Sequence, residues 1–236
     1  ITEPDVSPLQ LQGPLSRDIL TATFGDKLGD LKYFRFTEHD WNGVPLVISR
    51  TGWSSELGYE IFLCNSKHGN SLWEYIMEVG APMGLKPGHT SSIRRIEASM
   101  LSYHADMSLE HNPFELGLDR LVDLDIQADY VSKKALKRIK AVGVKQYLVG
   151  LVFEGDPIEG SNDEYWPIRA DGQRIGYVTS AVYSPRLEQN IALAMVHKDY
   201  SEIGTKAVIE TTLMKRNCEV VPKPFYDPKK AIAAKS

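Results

Sequence analysis

The stretch YWPIRADGQRIGYVTSAVYS, residues 165–184, places two runs of aromatic and β-branched residues around the tetrapeptide Ala170–Gln173. An Asp-Gly pair between two such runs is a strong short-range signal for a β-hairpin, because both turn residues tolerate positive φ. Gly176 interrupts the second run and predicts a bulge or a close approach of another backbone. We therefore expect this stretch to form two antiparallel strands.

From Gly143 onward, the sequence on both sides of this hairpin shows the same strand-like pattern. Short apolar runs are separated by Gly, Pro and Asp, and none keeps a helical period for more than a turn. The pattern predicts a small antiparallel barrel or sandwich over about residues 144–236. The tail DPKKAIAAKS, residues 227–236, has few apolar residues and is expected to fray. The further strand candidates are QYLVGLVFEG (146–155), NIALAMVH (190–197) and TKAVIETTLM (205–214).

The first part of the chain, about residues 1–143, mixes helices with strands. Helical spacing of apolar residues alternates with short strand patterns, and Asn42-Gly43 marks a hairpin turn. This predicts an α+β layer rather than a doubly wound parallel sheet. The helix candidates are residues 14–25, 69–80 and 91–103, and the strand candidates are residues 31–36, 44–52 and 58–63.

Composition excludes several classes of protein. The chain has 236 residues, 42% of them hydrophobic and 25% charged, with a formal net charge of −4, as expected for a soluble globular protein. The mild acidity argues against a nucleic-acid partner, and the basic run Ser132–Lys140 has the spacing of a solvated helix face. No apolar run approaches the roughly 20 residues of a membrane span. Two distant cysteines favour reduced thiols in a cytoplasmic protein, and no metal-ligand spacing is present; His104 and His111 are a weak candidate pair.

The stretch SRTGWSSELGYEIF, residues 49–62, is unusual for a connection between strands. Gly52 and Gly58 permit a tight loop, Trp53 offers a flat aromatic face, and Glu60 begins a strand in which Tyr59 points to the opposite face. Trp53 is equally explained as a core aromatic residue. A carboxylate beside an aromatic ring suits a flat heterocycle that carries N–H donors.

Two further stretches carry charged residues in apolar surroundings. SSIRRIEASMLSYHADM, residues 91–107, places Arg95 and Glu97 on different faces of a predicted helix, and VTSAVYSPRLEQNIALAMV, residues 178–196, turns at Arg186. Arg95 could bind the carboxylate of a ligand or form a structural ion pair with Glu60. Arg186 could equally be a solvated turn residue.

These three stretches, in this order, resemble the glycine-cleavage T-protein family of tetrahydrofolate-dependent one-carbon transferases. TGWSSELGYEI is similar to the loop motif TGYTGExGxE, RRIEASMLSYHADM to the helix motif RLEAGxxLYGxxM, and the 178–196 stretch to a TSGxxSPxL hairpin. VSPLQLQGPLSRDIL resembles the strand-to-helix entry of the same family. The resemblance implies a three-lobed fold, of which this chain contains a ferredoxin-like α+β portion and a C-terminal antiparallel β-barrel.

The resemblance also implies roles for individual residues. Tetrahydrofolate is the expected cofactor, with Glu60 holding the pterin edge and Tyr59, Arg95 and Arg186 as further cofactor-binding residues. Trp53 and Phe62 are expected to bind a small-molecule methyl donor. In the family, the catalytic acid belongs to an N-terminal portion that precedes the LQGP strand. We therefore expect this chain to be an N-terminally truncated piece that carries part of the folate pocket, and the resemblance leaves open whether it is active by itself.

Within the family, Trp53, Ser54-Ser55 and HNPFELGLDRLVDLD (residues 111–125) look closer to the dimethylsulfoniopropionate demethylases than to the aminomethyltransferases. Phe62, however, stands where those demethylases would have Tyr. A sulfonium cation is well received over an indole face, which favours methyl transfer from that donor. The alternatives are aminomethyl transfer in glycine cleavage and a non-catalytic folate-binding module. The oligomeric state stays open, a homodimer included.

Overall fold

A computed structural model describes residues 3–235 of the chain, which form two compact units. The first unit comprises the described residues up to Ser91 together with those from Asp227 onward. The second unit is Ser92–Tyr226. Within the described residues, no helix has the length and apolar character needed to cross a membrane.

The first unit is a four-stranded sheet with two helices on one face. The sheet is antiparallel, in the order β1-β4-β3-β2. Alternate strand residues such as Ile48 and Ile61 pack with Leu20, Leu72 and Ile76 of the helices, so one face of the sheet forms the core. The elements are β1 (Ser7–Gln12), α1 (Ser16–Phe24), β2 (Phe36–Trp41), β3 (Val44–Ser49), β4 (Gly58–Leu63) and α2 (Gly69–Gly80).

The C-terminal tail docks on the first unit, so the prediction that it frays is wrong. The Asp227 carboxylate accepts hydrogen bonds from the backbone N–H groups of Ala231 and Ile232, both at 2.8 Å. Buried Arg50 donates to the carbonyl oxygens of Ala233 and of residue 235. Charge-assisted bonds to carbonyls at the end of a turn hold the tail where apolar area alone is too small.

The second unit contains a closed six-stranded barrel. Its strands follow the order β10-β5-β8-β7-β6-β9, all antiparallel, and enclose a core that includes Leu151, Ile168, Val178 and Ile209. The predicted mixed helix-and-sheet fold with an antiparallel barrel is confirmed. The elements are α3 (Ser92–Glu97), α4 (Lys133–Val142), β5 (Gln146–Phe153), β6 (Trp166–Ala170), β7 (Gln173–Ser184), β8 (Gln189–His197), β9 (Lys206–Glu210) and β10 (Lys215–Val221).

The predicted turns are confirmed by their backbone angles. The φ angles are +54° and +82° at Asn42 and Gly43, and +49° and +75° at Asp171 and Gly172, as two-residue hairpins require. Gly176 marks a close approach of strands, since a Cβ there would lie 2.1 Å from the carbonyl oxygen of Met195.

Two predicted elements have wrong boundaries, and one strand was not predicted. The strand expected at residues 31–36 lies instead at Phe36–Trp41, and the helix expected at residues 91–103 ends at Glu97, where the chain soon turns through Ser99 at φ +52°. Strand β10 was not predicted, because its charged outer residues hide the alternation.

Candidate functional site

Glu60 lies on the face of the first unit's sheet opposite to the helices. Strand β4 alternates, so Tyr59 and Ile61 enter the core while Glu60 projects the other way. One carboxylate oxygen of Glu60 accepts a bond from Gln10 Nε2 at 3.3 Å, and the other accepts a bond from Thr51 Oγ1. Ser49 Oγ lies 2.6 Å from Thr51 Oγ1 and continues the chain of hydroxyls. The carboxylate is therefore oriented from both sides.

The loop between β3 and β4 is held by the side chain of Gln12. Ser54 Oγ donates to Gln12 Oε1 at 2.6 Å, and Gln12 Nε2 donates to the carbonyl oxygen of Tyr59 at 3.3 Å. The amide fits here because residues 52 and 58 are glycines. This loop carries Trp53, which is half-buried and is not part of the unit's apolar core cluster.

Tyr59 and Phe62 lie on opposite faces of β4. Tyr59 is fully buried on the helix side, and among the described residues its hydroxyl has no hydrogen-bond partner. Phe62 is half-buried on the same face as Glu60, across from Pro8 and Val47 of the neighbouring strands. The structure thus brings Phe62 and Glu60 to one face and turns Tyr59 away from them. The assignment of Tyr59 to the cofactor stays a prediction.

Arg95, in the second unit, belongs to a buried polar network. Its guanidinium donates to Asp106 Oδ2 at 2.8 Å and to Ser180 Oγ at 2.8 Å. Asp106 is 1% exposed and also accepts bonds from the Ser102 N–H at 2.9 Å, from Thr179 Oγ1 at 2.7 Å and from Ser180 Oγ at 2.6 Å. The carboxylate that pairs with Arg95 is therefore that of Asp106.

Arg186 lies beside a second buried carboxylate of the same unit, that of Glu97. Glu97, 2% exposed, accepts a bond from Ser184 Oγ at 2.6 Å and from Arg94 at 3.3 Å. Arg186 Nη1 lies 3.7 Å from Glu97 Oε2, and its guanidinium carbon lies 4.1 Å from the ring centre of Tyr226. Arg186 is therefore a paired and stacked residue rather than a freely solvated turn residue.

The second and third charged stretches of the sequence thus meet, because α3 packs against the end of β7. Sequence reasoning missed Gln12, Thr51 and Asp106, although all three lie inside stretches quoted above. Their role depends on partners distant along the chain, so no local pattern reveals them. Among residues 3–235, no group of three or more His, Cys, Asp or Glu residues could hold a metal ion.

A separate cavity of about 1150 Å³ opens beside the barrel strands. Arg169 and Lys215 lie 2.9 and 3.2 Å from Glu210 in its wall, and their hydrogen bonds lower the pKa of the Glu210 carboxyl. Neither Arg95 nor Arg186 lines this cavity, so it is distinct from the network around α3.

Two family models match the chain. The GCVT N-terminal domain matches residues 1–126, and the glycine cleavage T-protein C-terminal barrel domain matches residues 146–227. The chain therefore belongs to the glycine cleavage T-protein family, as its combination of α+β unit and closed barrel indicates.

Individual relatives agree with this family. A dimethylsulfoniopropionate demethylase from Ruegeria pomeroyi is 37% identical over 211 residues, which is 89% of this chain and 57% of that protein. An aminomethyltransferase from Bacillus mycoides is 35% identical over 227 residues, or 94% of this chain and 60% of that protein. The crystal structure of the aminomethyltransferase T from Bartonella henselae superposes with a TM-score of 0.79 at 21% identity, covering 95% of this chain and 60% of the other. The chain thus spans less than two thirds of the length of these relatives.

Proposed function

We propose that the protein is a tetrahydrofolate-dependent methyltransferase that moves an S-methyl group from dimethylsulfoniopropionate to tetrahydrofolate. The observation that carries the proposal is the oriented carboxylate of Glu60 on a sheet face next to the loop of Trp53. The similarity to a dimethylsulfoniopropionate demethylase supports the donor, and the similarity to aminomethyltransferases supports the use of folate.

The residues around Glu60 fit the pterin edge of a folate. An ionised carboxylate offers about four lone-pair positions, and Gln10 and Thr51 occupy two of them. The remaining positions can accept N–H groups of an aminopyrimidine ring, and the two protein donors fix the plane in which they point. Tetrahydrofolate, when bound, supplies the nitrogen that receives the one-carbon unit. Arg95 and Arg186 remain predicted cofactor-binding residues.

Trp53 suits the methyl donor. A sulfonium over an indole face gains roughly 0.5–2 kcal/mol from the ring quadrupole, and Phe62 adds apolar area on the same face of β4 as Glu60. A sulfonium is itself a good leaving group, so the protein's task is to position the donor in line and to exclude water. Methyl transfer from a sulfonium therefore requires little acid catalysis from Trp53 and Phe62.

Aminomethyl transfer within glycine cleavage is the second candidate, because aminomethyltransferases match 94% of the chain at up to 35% identity. One assay of the complete protein as its gene encodes it separates the two. The proposed function yields methyltetrahydrofolate and methylmercaptopropionate from the sulfonium. The alternative yields ammonia and methylenetetrahydrofolate from a lipoyl-bound aminomethyl group. Folate binding without turnover of either donor would indicate a binding module.

The variant Glu60→Gln tests the folate role. It places an NH₂ group where a carboxylate oxygen accepts bonds, and a lost charge-assisted bond of this kind costs about 1.5–3 kcal/mol, or roughly ten- to a hundredfold in folate affinity. Isothermal titration with tetrahydrofolate measures this. Glu38→Gln on the exposed side of β2 is the matched control. Unchanged affinity in a folded Glu60→Gln protein would refute the role.

The variant Trp53→Leu tests the donor. It keeps apolar volume but removes the quadrupole, so the KM for the sulfonium should rise from several-fold to about thirtyfold while folate affinity changes little. Trp73→Leu, on the partly exposed face of α2, is the control. A lower melting temperature with unchanged KM would make Trp53 a structural residue. Loss of folate affinity alone would place the indole on the pterin and favour aminomethyl transfer.

A further inference from the structure

Gln12 occupies a cradle that exists only because Gly52, in the loop between β3 and β4, and Gly58, the first residue of β4, lack side chains. A Cβ at Gly52 would lie 2.6 Å from the amide nitrogen and oxygen of Gln12, and a Cβ at Gly58 would lie 2.4 Å from them. Neither glycine has a positive φ angle, so other residues could adopt the backbone at both positions. The glycines are therefore needed for space, and the space is taken by Gln12.

The Gln12 amide ties three parts of the unit together. It extends from the end of β1, accepts the hydroxyl of Ser54 at 2.6 Å and donates to the carbonyl of Tyr59 at the start of β4 at 3.3 Å. Next to it, the N–H of Gly13 donates to the carbonyl of Leu57 at 2.8 Å. The loop that carries Trp53 is thus attached at its middle and at its far end to one point of the chain.

We propose that Gln12 is a positioning residue for substrate specificity, which fixes the loop between β3 and β4 (residues 50–57) and so the place of the Trp53 indole. This inference rests on the proposed function for the role of Trp53, but not for the role of Gln12 in holding the loop. A loop held by several hydrogen bonds presents its aromatic ring to the donor without an ordering cost. Loosening the loop should therefore weaken donor binding.

A double-mutant cycle tests the cradle without any assay of activity. Gly58→Ala should lower the urea midpoint of unfolding in the native background, because the new methyl group displaces the amide. In the Gln12→Ala background the obstacle is gone, and the same change should cause no further shift. Gly80→Ala, whose Cβ would meet Leu85 at 2.5 Å, is the control and should be additive with Gln12→Ala. Equal shifts from Gly58→Ala in both backgrounds would overturn the proposal.

A second measurement connects the cradle to Trp53. In protein labelled with 5-fluorotryptophan, the fluorine resonance of Trp53 is assigned by Trp53→Phe and compared with those of the other three tryptophans. Gln12→Ala and Ser54→Ala should each shift or broaden the Trp53 resonance and leave the others in place. An unchanged Trp53 resonance in both variants would overturn the proposal.

The kinetic measurement separates this inference from the proposed function. Gln12→Ala should raise the donor KM by roughly three- to tenfold with little change in kcat or folate affinity. If the complete protein turns over no sulfonium, the proposed function fails, while the unfolding cycle and the fluorine spectrum still decide whether Gln12 fixes the loop. If the sulfonium is turned over but its KM is unchanged in Gln12→Ala, the specificity role is refuted.

Discussion

Replacing Asp106 by Asn should strongly destabilise the second unit. The carboxylate is 1% exposed and accepts bonds from Arg95, from the Ser102 N–H, and from the hydroxyls of Thr179 and Ser180. Asn has similar size, yet it turns one acceptor into a donor and removes the negative charge of the Arg95–Asp106 pair.

The magnitude follows from these contacts. Removing one partner of a buried ion pair costs about 3–5 kcal/mol, because the remaining charge stays away from water. The Asn amide has two orientations. In one, its NH₂ group faces the hydroxyls of Thr179 and Ser180, which can rotate to accept a hydrogen bond. In the other, it faces the N–H donors of Arg95 and Ser102, which cannot accept one. We therefore expect a loss of about 4 kcal/mol, a large part of the 5–15 kcal/mol that stabilises an ordinary domain.

Urea-dependent hydrogen exchange measures this loss region by region. Peptides from β7 and β8 should lose protection, while peptides from β3 and β4 of the first unit serve as an internal reference. Asp119→Asn, at an exposed position, is the control variant. Adding Arg95→Met should recover part of the loss, since it removes the positive charge whose paired carboxylate is gone. A loss below about 1 kcal/mol would show that Arg95 does not depend on Asp106 for its stability in the fold.

Three further predictions concern single side chains. Ser99→Gly should raise the free energy of unfolding by about 1 kcal/mol in thermal denaturation, because Ser99 has φ +52° and, among the described residues, its buried hydroxyl has no partner. In the native protein at pH 8, a thiol reagent should label half-buried Cys64 and spare Cys218, since burial raises the pKa of Cys218 to about 12; labelling that persists in Cys64→Ser would contradict this. Burial lowers the pKa of Lys223 below its usual 10.5, although the nearby negative charge of Asp106 acts in the opposite direction. Between the lowered pKa and 10.5 the unfolded chain therefore binds more protons than the folded chain, and the free energy of unfolding should rise with pH over that range. Lys223→Met should abolish that rise in urea titrations and be more stable than the native chain at neutral pH.

Sequence periodicity predicted those elements that bury a complete stripe of apolar residues. Helix α2 and strand β4 begin and end where the pattern places them, since Leu72 and Ile76 or Tyr59 and Ile61 repeat at the proper spacing. Strand β2 was displaced because it is an edge strand whose outward residues are polar or exposed. The boundary expected between residues 143 and 144 stays a prediction.

The candidate site was only partly accessible to the same reasoning. The alternation of side chains along β4 predicts that Glu60 and Tyr59 lie on opposite faces of the sheet, and this prediction requires only the sequence of the strand itself. The bonds that orient Glu60 and hold the loop join residues 9 to 50 positions apart, such as Thr51 with Glu60 and Gln10 with Glu60. Periodicity reports which side of an element is buried, but it does not report which distant side chain fills the space beside it.

The docked tail has a consequence for the order in which the chain is made. The first unit is completed by residues from Asp227 onward, which leave the ribosome only after the whole second unit. At typical synthesis rates this delay is on the order of ten seconds. Throughout it, Arg50 can bind the carbonyl oxygen of Leu31 but lacks those of Ala233 and Lys235. The first unit therefore begins to be made before the second unit and is completed after it, and chaperones would meet it while Arg50 still lacks the tail.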